Sequence, residues 1–142
     1  MKIWKTLKGP LARSLAAHLR DFESGALPAR TRELVALMVA WLNACEDCTC
    51  VHEEIARSIG VDEATLASLS DFARSANFSG AERAALAATV ALTREPRALP
   101  PAVLDALRAH YDEAACTEVL ALIGVQNYLS RLSNSLRSRH EP

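Results

Sequence analysis

Three of the chain's four cysteines and one of its four histidines fall within eight residues, Cys45-Glu46-Asp47-Cys48-Thr49-Cys50-Val51-His52. Residues three or four apart on a helix share a face. Cys45 and Cys48 therefore stack on one side of a turn, with Cα atoms about 5 Å apart, a spacing that a disulfide tolerates. His52 lies four residues after Cys48 and projects from the same face one turn on. Local geometry alone thus gathers a thiol, a partner thiol and a base. Those are the parts of dithiol–disulfide chemistry. If the segment opens a helix, the unpaired N–H groups there favour a thiolate. Glu46, Asp47, Glu53 and Glu54 oppose it, because nearby negative charge disfavours a second anion. A base must then remove the thiol proton, and His52 is the nearest candidate.

Glu33 is the candidate third member, a carboxylate able to orient the imidazole or accept its proton. It stands 12 positions before Cys45, a span of about 18 Å in one continuous helix. It meets His52 only if the chain reverses and two helices pack antiparallel, and Asn43-Ala44 is the expected break. Zinc is the competing chemistry, since Cys45, Cys48, Cys50 and His52 supply four donors. Cys50 faces away from Cys48 in a helix, so a local four-ligand site requires that helix to unwind. Cys50 and Cys116 read as packing residues, and His18, His110 and His140 as exposed side chains with no constellation around them.

These residues must be positioned by helices. Leu122, Val125, Leu129, Leu132 and Leu136 recur at spacings of three and four, with Gln126, Arg131, Asn134 and Arg137 mostly elsewhere on the circumference. No comparable run alternates with period two, so the chain reads as all-α. A first helix is expected over Leu11 to Phe22, ending near Gly25. Pro28 opens a second, with Leu34, Leu37, Met38 and Trp41 inward. A third holds the cysteines and stops at Gly60, a left-handed C′ position. Asp62 caps a short fourth through about Leu69. Ser79 and Glu82 have capping-box spacing at the start of a fifth, which runs into Pro96. Pro100-Pro101 precede a sixth, and Asp112 caps the last and longest. The expectation is a helical bundle of about six to seven helices.

The 142 residues are the size of one domain, and no stretch rich in Gly, Ser or Pro divides them. Half are hydrophobic but only 5% are aromatic, so Ala, Leu and Val must fill the core. A net charge of -1 gives no electrostatic reason to expect nucleic acid or an anionic membrane as partner. Lys2, Lys5 and Lys8 resemble the basic start of a signal peptide, but His18, Arg20 and Asp21 interrupt the apolar run such a peptide needs. No apolar run approaches the length of a membrane span. A cytoplasmic location is expected, where four cysteines are metal-binding, catalytic or buried rather than a disulfide framework.

Glu33 followed by Cys45-x-x-Cys48-x-x-x-His52 resembles the active-site signature of the alkylhydroperoxidase D-like proteins of the carboxymuconolactone decarboxylase superfamily. Arg32-Glu33-Leu34-Val35-Ala36-Leu37 and Asn43-Ala44-Cys45 are similar to the family's approach to its cysteines. His52-Glu53-Glu54-Ile55-Ala56, Ile59-Gly60-Val61 and a last helix with Asn127 and Arg131 extend the likeness. It covers roughly Leu11 to Leu136, so residues 1–142 read as one such domain. The resemblance implies a thiol peroxidase that needs no bound cofactor or metal. Cys48 would attack a peroxide, either hydrogen peroxide or an organic hydroperoxide, and become a sulfenic acid. Cys45 would resolve it to a disulfide, and His52 and Glu33 would relay the proton. A dithiol donor would restore the pair. Homo-oligomers, trimers or hexamers, are also implied. Two positions depart from the pattern. The best-known peroxidases carry a histidine where this chain has Asp47, a poorer proton donor near neutral pH, and Cys50 is an extra thiol. The CxxC itself argues against lactone decarboxylation, whose branch characteristically lacks it. A non-enzymatic redox switch remains the alternative reading beside zinc.

Overall fold

A computed structural model describes residues 7–95 and 97–137. The described residues form seven α-helices and one 3-10 turn, with no strand. In chain order they are α1 (Gly9–Glu23), α2 (Ala29–Leu42), α3 (Glu46–Ser58), α4 (Glu63–Ala67), the 3-10 turn (Leu69–Asp71), α5 (Gly80–Arg94), α6 (Pro101–Arg108) and α7 (Glu113–Arg137).

Local chemistry sets most of the boundaries. The Asp62 side chain accepts the Thr65 N–H at 2.7 Å and starts α4. Ser79 and Glu82 form the reciprocal capping box of α5. Asp112 accepts the Ala115 N–H at 2.8 Å at the head of α7. Gly60 ends the turn after α3 with φ +88, where a side chain would be strained. The short fourth helix is briefer than expected, stopping at Ala67 before Leu69 begins the 3-10 turn. Pro96 lies outside the described residues.

α2 is the central helix, packed against α3, α5 and α7. Every residue from Leu34 to Ala40 is buried. Val35 and Val39 join Ala85, Ala88, Leu107, Val119 and Ile123 in one core, while Leu34, Leu37 and Met38 join Ala56, Phe78 and Leu86 in another. Each of the buried Val, Leu, Ile, Met and Phe side chains among them contributes roughly 1.5–3 kcal/mol, and the alanines less. The expected inward set of Leu34, Leu37, Met38 and Trp41 needs correction at its last member. Trp41 is 51% exposed although Ala40 is buried and Leu42 packs against the core, so it lies on a face of α2 that the neighbouring helices leave open. α1 lies against the far part of α7, where Leu15 and Leu129 are buried together and Leu132 and Leu136 pack beside them.

Candidate active site

The chain reverses at Asn43-Ala44, between α2 and α3. Ala44 adopts φ +51, unusual for a residue with a Cβ. Three sets of contacts hold it there. Cys45 N–H donates to the Ala40 carbonyl at 2.9 Å. The Asn43 amide donates to Asn127 Oδ1 at 2.9 Å and Ser130 Oγ at 2.8 Å on α7. Asn134, also on α7, donates to the Asn43 carbonyl at 2.7 Å. The reversal makes α3 pack back along α2.

That packing joins Glu33 to His52. Glu33 Oε2 lies 2.8 Å from His52 Nδ1, with both side chains mostly buried. A carboxylate only accepts, so Nδ1 carries the shared proton. In the neutral ring Nε2 is then the basic nitrogen, and it makes no hydrogen bond among the described residues.

Cys45 occupies the N-cap of α3 and Cys48 lies in its first turn. Their Cα atoms are 5.2 Å apart and their sulfurs are bonded as a disulfide. Both are buried, 1% and 3% exposed, beside Ala40. The pair thus sits at the N-terminus of α3, a position that favours a thiolate once the bond is reduced. Of the four acidic neighbours, Glu46 and Asp47 occupy the first turn of α3, and Glu53 pairs with Arg57 at 3.2 Å.

Cys48, His52 and Glu33 line one cavity of about 200 Å³, with Leu19, Phe22, Ile55, Leu122 and Leu129 among its apolar walls. Cys45 does not line it. A molecule entering this cavity therefore meets Cys48, while Cys45 stands behind. Cys50 is exposed, away from the buried pair, so the four donors of the zinc reading do not converge. Among the described residues no group of three or more His, Cys, Asp and Glu is arranged to hold a metal ion. Cys116 is buried, its thiol 3.4 Å from the Tyr111 carbonyl. His18 and His110 are exposed, and His140 lies outside the described residues. No helix among the described residues is long and apolar enough to cross a membrane.

One cavity residue corrects the reading of the sequence. Helical periodicity sets Gln126 mostly away from the apolar face of α7, yet it is only 8% exposed and lines the cavity with Leu122 and Leu129. Its spacing, four after Leu122 and three before Leu129, puts it in step with the leucine stripe. A polar residue in that register is the available signal.

The model of the carboxymuconolactone decarboxylase family matches residues 11–91. The uncharacterized Escherichia coli protein YnjA is 34% identical over 106 residues, which are 74% of this chain and 58% of that protein. The chain thus spans less than two thirds of that relative's length. A protein of unknown function from Agrobacterium tumefaciens, proposed as the antioxidant defence protein AhpD, superimposes with a TM-score of 0.87 at 24% identity, over 100% of this chain and 97% of that one. The debrominase Bmp8 superimposes with a TM-score of 0.81 at 25% identity, over 92% of this chain and 71% of that one. A variant of it has also been solved in complex with 2,3,4-tribromopyrrole.

Proposed function

Because the chain belongs to the carboxymuconolactone decarboxylase family, as an alkylhydroperoxidase D-like member, we propose that it is a thiol-dependent peroxidase working through a Cys45–Cys48 dithiol–disulfide cycle. One observation carries this reading. Cys48, within disulfide distance of Cys45, shares a cavity wall with the Glu33–His52 pair.

The cycle starts from the reduced pair. His52 Nε2 takes the Cys48 proton, and the Glu33 carboxylate stabilises the imidazolium through Nδ1. The Cys48 thiolate attacks the terminal oxygen of a hydroperoxide. The O–O bond breaks, its electron pair leaves on the alkoxide, and the proton held by His52 makes the alcohol. Cys48 is now a sulfenic acid. The Cys45 sulfur attacks Cys48 Sγ and expels the sulfenic oxygen as water, which forms the disulfide. The sum is one hydroperoxide and two thiols giving one alcohol, one water and one disulfide. A dithiol donor returns the two electrons by exchange. Asp47 does not stop this route, since the proton moves through His52. We further propose that the chain works as a homo-oligomer, a trimer or hexamer.

Peroxide turnover with a dithiol donor is the test. Cys48→Ser is expected to abolish consumption of hydrogen peroxide and organic hydroperoxides. Cys45→Ser should retain one oxidation event and accumulate a sulfenic acid at Cys48 that a cyclic dione traps, read by mass spectrometry. Unchanged turnover in Cys48→Ser would sink the mechanism. Slow, stoichiometric oxidation without turnover would instead favour a redox switch.

The likeness to Bmp8 favours one second reading, reductive dehalogenation of a small ring. The electron balance is the same, since an aryl bromide and two thiols give the arene, hydrogen bromide and a disulfide. Bromide release from a brominated pyrrole in the same assay separates the two.

A further inference from the structure

We propose that Gln126 is a substrate-binding residue, whose carboxamide hydrogen-bonds the oxygen of a compact, uncharged organic hydroperoxide seated in the cavity before Cys48. This rests on the peroxidase reading and adds to it a substrate class and the residue that selects it.

Gln126 is more than nine-tenths buried and lines the cavity, and its side chain makes no hydrogen bond among the described residues. Buried polar side chains elsewhere in the core, Thr65, Thr89, Thr93 and Ser130 among them, are hydrogen-bonded within the protein. Thr89 Oγ1 donates to the Ala85 carbonyl at 2.7 Å, and Ser130 Oγ accepts from Asn43. No polar side-chain atom among the described residues is both sealed from solvent and unpaired. The polar end of Gln126 therefore opens to the cavity rather than to packed protein. A largely buried amide without a protein partner is costly, so in the empty cavity a water must satisfy it. A ligand oxygen can take that water's place.

The walls define the rest of the ligand. Leu19, Phe22, Ile55, Leu122 and Leu129 present hydrocarbon, matched by a hydrocarbon body. An apolar cavity of roughly 150 Å³ accommodates benzene. The present one, about 200 Å³, suits one ring with a short branched substituent rather than a long lipid chain. Its charged lining is Glu23, Arg32 and Glu33, two carboxylates against one guanidinium. Arg32 already donates to the Leu27 carbonyl at 2.8 Å, and Glu33 is engaged by His52. That balance disfavours an anionic ligand. A neutral hydroperoxide with a bulky apolar group meets all three conditions.

The test uses the oxidised protein and two ligands that differ by one hydroxyl, 2-phenyl-2-propanol and cumene. Binding is read by titration calorimetry or ligand-observed NMR. Gln126→Met keeps the volume and removes the carboxamide. It should weaken the alcohol about tenfold, the equivalent of one lost hydrogen bond, and leave cumene unchanged. A merely structural role would shift both ligands alike. Gln126→Leu also removes the carboxamide at similar volume and should give the same split between the two ligands, which keeps the idea testable if Gln126→Met folds poorly. Equal binding of the alcohol to wild type and Gln126→Met overturns the proposal, as does failure of the alcohol to bind wild type. Hydrogen peroxide turnover alongside either result leaves the peroxidase reading standing while this inference falls. Binding through Gln126 without any peroxide turnover does the reverse.

Discussion

Glu33 and His52 are 19 positions apart and touch at 2.8 Å, across two helices rather than along one. The carboxylate fixes which ring nitrogen carries the proton, and so leaves Nε2 as the basic nitrogen of the neutral ring. Its proposed role acts through His52, as a positioning residue. Glu33→Gln keeps an acceptor for Nδ1–H but loses the negative charge that stabilises the imidazolium. Peroxide turnover should fall on the order of 10- to 100-fold, against roughly 10²- to 10⁴-fold for His52→Ala. The distinguishing readout is alkylation of reduced Cys48 by iodoacetamide. It should slow in both variants, and added imidazole should partly restore it in His52→Ala alone. Equal alkylation rates in wild type and Glu33→Gln would remove Glu33 from the relay. The Cys and His positions were legible because all three sit within two turns of one helix, where spacing fixes placement. Glu33 was legible only through the break at Asn43-Ala44. Gln126 was legible only in its register with Leu122 and Leu129; that this stretch of α7 lines a cavity depends on α1 and α3 packing beside it, which no local spacing reveals.

At the scale of elements, caps and breakers translated directly into helix ends. Asp62, Ser79 and Asp112 each satisfy a backbone N–H in the first turn of the helix they open. α2 was harder to read. A helix covered on most sides has no single apolar stripe, so a one-sided reading of its periodicity misplaces a residue such as Trp41. Glu82 shows how one cap can also brace the fold. It accepts the Ser79 N–H at 2.7 Å and Arg30 Nε at 2.8 Å, which ties the head of α5 to α2. Burial pushes the Glu82 carboxyl up, but the Ser79 N–H and the Arg30 guanidinium outweigh it and hold the group below its ordinary value. A carboxyl lowered in the folded state stabilises the fold above its unfolded pKa, and that contribution is lost as pH falls through the folded value. Glu82→Gln should therefore cost about 1–3 kcal/mol near neutral pH, as expected for charge-assisted hydrogen bonds. The gap from wild type should close progressively below about pH 5. Urea unfolding across pH 3–7 measures it, and a gap constant with pH would show that the charge of Glu82 contributes nothing.

The whole molecule leaves apolar surface that its own helices do not cover. Trp41 is half-exposed at the end of α2, and Ile55 on α3 and Ile59 at its C-terminal cap are also exposed. Single exposed hydrophobics are ordinary. Trp41 differs in its size, since a tryptophan removes on the order of 150–250 Å² from water when fully buried. It also stands one turn from Ala44, at the reversal that sets the two cysteines in place. An oligomer contact there would brace the turn that presents Cys45. The proposed trimer or hexamer would then have a mass three or six times the 15.4 kDa chain, measured by light scattering at micromolar concentration. Trp41→Asp puts a charge where the contact needs an apolar anchor. Aromatic anchors of this kind typically carry about 2 kcal/mol or more, so assembly should weaken roughly thirtyfold or further. The variant should run at a smaller mass with its helical content intact. A wild-type chain that stays at 15.4 kDa at micromolar concentration would end this prediction. An assembled Trp41→Asp would keep the oligomer and move its contact elsewhere. Turnover adds a second reading. If the contact braces the Asn43-Ala44 turn, dilution below the assembly threshold should lower peroxide turnover per chain in wild type, and Trp41→Asp should show the low value at every concentration.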